Sequence, residues 1–196
     1  MIVQDFLTHR SELDESSGYS LAGSFTRDLV ASKVWLLQEL EKIRTHYSTM
    51  YVLGSWYGNL ALYLKLQPVI QVDLVINVEI NDEMLDTSQS ILDFAGVDNV
   101  KYMLADANQL DYRQLGQSGV VVNTSLTEMP ETEWFEHIPA GTLVAMQARD
   151  HDPGLEYHSV QQIQQRYPLT KTLYQGSLLL QDPETEYRRY MTIGIR

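Results

Sequence analysis

The chain of 196 residues is long enough for one well-buried core and short for two, and its 44% hydrophobic and 20% charged residues are ordinary for a globular domain. A net charge of −12 argues against a broad electrostatic grip on nucleic acid, which rests on Lys and Arg neutralising phosphates, and no apolar run reaches the length of a membrane span. With no cysteine the chain has no disulfide framework, thiol nucleophile or thiolate metal site.

Met1 to Arg10 lack a basic start, a long apolar core and a small-residue cleavage site, so no secretory signal is read there and a cytoplasmic location is expected. The polar stretch Ser11 to Ser20 suits either a lid or a disordered lead-in, and residues 1–46 form a covering region. From Phe25 to Ile43, the positions Leu29, Val30, Val34, Leu37, Leu40 and Ile43 recur at helical spacing and predict an amphipathic helix lying on a sheet.

Met50 to Leu53 then reads as a first strand and Asn59 to Leu66 as a helix that stops near Pro68. Gln71 to Val78, rich in β-branched residues, reads as a second strand, and Asp82 to Phe94 as a helix capped by Asn81 or Asp82 and closed by Gly96. Val100 to Leu104 and Gly119 to Asn123 are the third and fourth strands. A short helix over Glu131 to His137, a fifth strand over Thr142 to Gln147 and another short helix over Ser159 to Arg166 follow. Two strands, Thr172 to Leu180 and Tyr187 to Ile195, flank a hairpin-like junction at Gln181 to Glu184. Arg188, Arg189 and Arg196 read as solvent-facing charges on an alternating strand, with a local basic patch as the other reading.

Alternating strands and helices predict a single α/β domain over 1–196: a mostly parallel seven-stranded sheet with helices on both faces and one antiparallel strand near the C-terminus. Ligands in such sheets bind at the carboxyl ends of the strands. Four features converge there: the Gly54-Ser55-Trp56-Tyr57-Gly58 turn after strand one, Glu79 after strand two, Asp106 after strand three and Asn123 after strand four. Paired glycines allow close backbone approach to a ligand, and a carboxylate ending the next strand is placed to hold ribose hydroxyls.

On these residues the chain resembles the class I S-adenosylmethionine-dependent methyltransferases, with a Rossmann-like fold, from about Tyr51 to Arg196. The resemblance implies that Gly54, Ser55, Trp56 and Gly58 touch the methionine part of the cofactor, that Glu79 binds ribose, and that Asp106 with Ala107 receives adenine. It further implies that Asn123, Thr124 and Ser125 face the reactive methyl group. The family loop usually reads Gly-x-Gly-x-Gly after an acidic residue, whereas Trp56 takes the central Gly position here. Asn123-Thr124-Ser125 also departs from the Asn/Asp-Pro-Pro-aromatic motif of enzymes acting on bases and is closer to short methyltransferase-like proteins found in phages. An activated methyl group needs mainly alignment and dryness, so the candidate catalytic residues are few. Asn123 is placed to hold an amine, Ser125 or Glu128 to orient or deprotonate an acceptor, and His158 to act as a base, with Arg149 suited to an acidic acceptor.

The bland reading of Asn123 and Ser125 is that they satisfy their own loop, and Glu79 and Asp106 could be strand ends or caps. His151 and His158 with Asp150 or Asp152 fit no strong zinc spacing, so no metal is expected. The methyl acceptor is undetermined. Alternatives to methyl transfer are a non-catalytic sensor of an adenosyl ligand, an interaction scaffold, or an aminopropyl transferase.

Overall fold

The computed structural model describes residues 21–116, 118–150, 157–182 and 185–196. The stretch Ser11 to Ser20, as well as His151, Asp152 and part of the hairpin junction, lies outside them. The elements are α1 (Arg27–Ile43), β1 (His46–Leu53), α2 (Asn59–Leu66), β2 (Gln71–Glu79), α3 (Asp82–Phe94), β3 (Val100–Leu104), β4 (Val120–Asn123), α4 (Glu133–Glu136), β5 (Leu143–Arg149), α5 (Val160–Arg166), β6 (Lys171–Gln181) and β7 (Glu186–Ile195).

One seven-stranded sheet runs in the order β3-β2-β1-β4-β5-β7-β6. β1 to β5 pair in parallel, and β7 is antiparallel to both of its neighbours. The expected fold class therefore holds, down to the single reversed strand.

Strand alternation divides the core cleanly. Met50, Val52, Val75, Val120, Val122, Ala145 and Ile193 point to the face covered by α1, α2 and α3. Tyr51, Leu53, Ile76, Val78, Val121, Val144 and Met146 point to the other, against Trp134 of α4, Ile163 of α5 and Tyr167. A strand buried on both faces must be apolar at nearly every position, which is why the Val120-Val121-Val122 run forms β4.

The helix ends follow their caps. The Asn81 side chain accepts a hydrogen bond from Met84 N at 3.1 Å and starts α3. Beyond its end Gly96 adopts φ +68°, while Val97 N closes back on Leu92 O at 2.9 Å.

Two expectations are corrected. The buried stripe of α1 is Asp28, Ser32, Leu36, Leu37, Glu39 and Leu40, whereas Leu29, Val30, Val34 and Ile43 are half-buried. The helix is rotated because its polar residues find partners in the sheet: Ser32 Oγ donates to Gln147 Oε1 at 3.0 Å, and Tyr187 donates to Asp28 Oδ2 at 2.5 Å. Arg189, read as solvent-facing, is 4% exposed and donates to Thr124 O at 2.5 Å, because strand β7 lies inside the sheet between β5 and β6.

Candidate active site

The order of the strands reverses at the parallel β1/β4 pair, so the loops after these two strands leave toward opposite faces and open a crevice between them. The two loops meet closely. A Cβ added to Gly54, which sits at φ +58°, would lie 3.2 Å from Ser125 Cβ and 3.3 Å from Ser125 Oγ. Gly58, at φ +72°, is pinned from the other side, since a Cβ there would overlap Ser88 Oγ and lie 2.9 Å from Leu92 Cδ1 of α3. Between them Trp56 also has positive φ, +55°, an uncommon conformation for a bulky side chain. Its indole stacks on Tyr57 with centroids 5.6 Å apart.

What holds Trp56 there is Glu79. The Glu79 carboxylate, on a residue only 8% exposed, accepts the backbone N–H of Trp56 at 2.8 Å, of Ile80 at 2.9 Å and of Asn81 at 3.2 Å. An ionised carboxylate has about four lone-pair directions, which leaves one for a further donor. Ala105 N donates to Glu79 O at 2.9 Å, so Asp106 follows immediately on the neighbouring strand tip. Asp106 Oδ1 caps a short 3-10 turn, Ala107–Gln109, by accepting Asn108 N at 2.9 Å, and Ala107 is buried. Beside the two acids, Ile80 and Leu104 are 72% and 58% exposed, an apolar shelf at the same strand ends.

Under the first loop lies a cavity of about 30 Å³ lined by Ser24, Lys33, Gly54, Ser55, Asn59 and Thr124, among others. Two of its polar atoms, Ser55 Oγ and Asn59 Oδ1, are buried without a hydrogen-bond partner. Ser55 and Asn59 both line this cavity, and buried polar atoms are nearly always satisfied by protein, water or ligand. An α-amino acid end, with an ammonium for Asn59 Oδ1 and a carboxylate for Ser55 Oγ, has the matching chemistry.

The residues expected to act on an acceptor divide. Asn123 is fully buried, and its Oδ1 accepts the Ser125 N–H at 2.9 Å, so its side-chain carbonyl serves the loop. Ser125 is half-buried and faces Gly54. Glu128 is exposed, with Oε2 accepting from Thr127 Oγ1 at 2.9 Å. His158 is also exposed, its backbone bonded to Gln162 at the start of α5 and to Tyr190 of β7. Arg149 is paired with Asp182 at 3.3 Å and lies 4.1 Å above the Tyr187 ring, so it stands already compensated.

Sequence reading missed Asn59, Lys33 and Arg189. Asn59 directly follows Gly58 and opens α2, a position where its amide reaches back to donate to Ser24 O at 2.6 Å. Lys33 lies four residues from both Leu29 and Leu37, and that spacing alone puts it beside the buried stripe. Its Nζ donates to Thr124 Oγ1 at 2.9 Å. Burial, and secondarily the Arg189 guanidinium, lower its ammonium to about 7, while Glu128 pulls it up. Among the described residues no group of three or more His, Asp and Glu is placed to hold a metal, and no helix is long and apolar enough to cross a membrane.

This sheet order is that of the class I methyltransferase fold. The N-methyltransferase NodS from Bradyrhizobium japonicum superimposes with a TM-score of 0.65 at 11% identity, covering 88% of this chain and 99% of its own. Magnesium protoporphyrin IX methyltransferase from Synechocystis, crystallised with bound S-adenosylhomocysteine, gives 0.60 at 12% identity over 98% of this chain and 94% of its own. An rRNA methylase from Streptococcus thermophilus gives 0.55 at 14% identity over 88% and 99%. No family model and no curated protein matches the sequence.

Proposed function

We propose that the chain transfers the methyl group of S-adenosylmethionine to an acceptor bound beside the loop after β4. The observation that carries this reading is the pair of buried, unpartnered atoms Ser55 Oγ and Asn59 Oδ1 in the cavity under the Gly54–Gly58 loop, at the switch point of a methyltransferase-type sheet. In this reading Ser55, Asn59, Gly54, Trp56 and Gly58 surround the methionine end, Glu79 uses its remaining lone pair on ribose, and Asp106 and Ala107 meet adenine against Ile80 and Leu104. The cofactor, when bound, supplies a methyl group already activated on a sulfonium.

The chain's own contribution is alignment and exclusion of water. Asn123 fixes the β4 loop through Ser125 N, so that Ser125, half-buried against Gly54, orients the incoming acceptor. Glu128 and His158, both exposed, are the residues proposed to take a proton from an acceptor that carries one.

The test is incubation of the chain with methyl-labelled S-adenosylmethionine and a panel of small acids, amines and phenols, scored by transfer of label. Labelled product that disappears with S125A supports the reading; binding of the cofactor with no labelled product from any of the panel favours a non-catalytic sensor. That second reading draws support from Trp56, whose indole occupies the turn where the family usually has glycine, and from Asn123, whose carbonyl is already bonded.

A further inference from the structure

The cavity under the β1 turn is walled on one side by α1, through Leu29 and Lys33. Of the residues that line it, Lys33 alone can gain or lose a proton near neutrality. Lys33 is half-buried, and its Nζ donates to Thr124 Oγ1 at 2.9 Å. Thr124 directly follows Asn123, the last residue of β4, and Ser125 beyond it is the side chain that a Cβ on Gly54 would meet at 3.2 Å. The amine therefore stands where the two loops of the crevice converge.

No fixed acid holds this amine as a cation. Among the described residues no carboxylate forms an ion pair with Lys33. The charged groups that act on it are Arg189 of β7, which disfavours the ammonium, and Glu128, which favours it but is exposed and accepts from Thr127. Burial is the largest influence, and it lowers the amine to about 7, so about half of it is the neutral, nucleophilic base at neutral pH. Size points the same way. A cavity of about 30 Å³ is of water size, so beside the end of a bound cofactor it has no room for a second molecule, whereas the Lys33 side chain already lines it.

We infer that the Lys33 ε-amine is itself a methyl acceptor of this site, so that the chain modifies its own covering helix. The amine lone pair forms the new nitrogen–carbon bond while the carbon–sulfur pair returns to sulfur. The sulfonium becomes a thioether, and the nitrogen becomes a secondary ammonium whose proton passes to water. No further reactant is needed. This inference rests on the methyl-transfer reading and takes from it the position of the methionine end.

The first arm of the experiment needs no turnover. The full chain at pH 7 is treated briefly with deuterated formaldehyde and cyanoborohydride, alone and saturated with S-adenosylhomocysteine, and deuterium at each lysine is read by peptide mass spectrometry. Lys33 is expected to label at least about tenfold faster than Lys42, whose exposed amine is raised by its hydrogen bond to Glu39, and to lose that labelling when S-adenosylhomocysteine is bound. In the second arm the chain is incubated with methyl-labelled S-adenosylmethionine. Label is expected on Lys33 at a rate independent of chain concentration, about tenfold slower for each pH unit below the Lys33 value, and absent from K33M, whose fold is checked by far-ultraviolet circular dichroism.

Bound S-adenosylhomocysteine with no methyl label on Lys33, or with label on other residues only, overturns the inference and leaves the methyl-transfer reading standing. So does a Lys33 that labels with formaldehyde no faster than Lys42, or that bound S-adenosylhomocysteine does not protect. A rate that rises with chain concentration marks one copy acting on another and also overturns it. If S-adenosylhomocysteine does not bind the folded chain in calorimetry, the reading and the inference fall together.

Discussion

Glu79 holds Trp56: the carboxylate that ends β2 accepts the backbone N–H of the residue at the crest of the β1 turn, at 2.8 Å. The acid thus shapes the crevice before it meets any ligand, using one lone pair on the turn and two on Ile80 and Asn81. Replacing it by Gln puts an amide donor against backbone donors. E79Q is expected to lose about 1–3 kcal/mol of stability, read from urea unfolding, and to weaken S-adenosylhomocysteine as well.

The two glycines that differ most in surroundings separate steric from backbone effects. G58A must displace Ser88 and Leu92 and also place a Cβ at φ +72°, for an expected loss of about 2–4 kcal/mol. G96A, at φ +68° with nothing near its Cβ, is expected to lose only about 1 kcal/mol. Unfolding midpoints of the two variants, and partial recovery in the G58A/S88G double variant, check the comparison.

Tyr187 donates to Asp28 Oδ2 at 2.5 Å, while Asp28 Oδ1 is buried without a partner. Y187F strips the carboxylate of this donor and is expected to destabilise the chain by about 2–3 kcal/mol. The D28N/Y187F pair, which removes the charge along with the donor, is expected to recover part of the loss in a double-mutant cycle.

Stability depends on pH through Lys33. In the unfolded chain its amine holds a proton to about 10.5, while in the folded chain it releases it at about 7. Between these values the unfolded state binds more protons, so stability rises as pH rises from about 7; below that both states are protonated and the full cost of burying the charge is present. The rise ends near the ordinary tyrosine value of 10, because burial pushes Tyr47, Tyr63 and Tyr102 up to about 12 and above 10 the unfolded chain loses those protons first. Urea midpoints measured across this range are expected to climb in wild type and to stay flatter in K33M, which is the more stable of the two near pH 6.

Much of this fold was legible because each element carries its own local reason. The valine run of β4, the Asn81 cap and the Gly96 terminus need no distant partner to be recognised. Glu79 and Asp106 were found by spacing, since each ends a strand in successive βα units, and Ala105 N on Glu79 O brings them to adjacent tips. What local pattern could not carry was polar burial across the chain. Asp28 meets Tyr187 across 159 positions and Ser32 meets Gln147 across 115, so a pattern of apolar residues alone could not pick out an acid and a serine on the core face of α1. Arg189 read as solvent-facing for the same reason, and Lys33 escaped notice because its partner, Thr124, is 91 residues away.

The central claim is that the orphaned atoms beneath the β1 turn complete their bonding on an adenosyl amino acid, and S55A tests it because stability and binding are expected to move apart. Loss of a buried hydroxyl with no partner leaves the unfolding midpoint unchanged or raised, while S-adenosylhomocysteine, titrated calorimetrically into wild type and S55A, is expected to bind wild type once per chain and the variant about tenfold more weakly. Absence of binding to the folded wild-type chain, or equal affinity for S55A, would contradict the account.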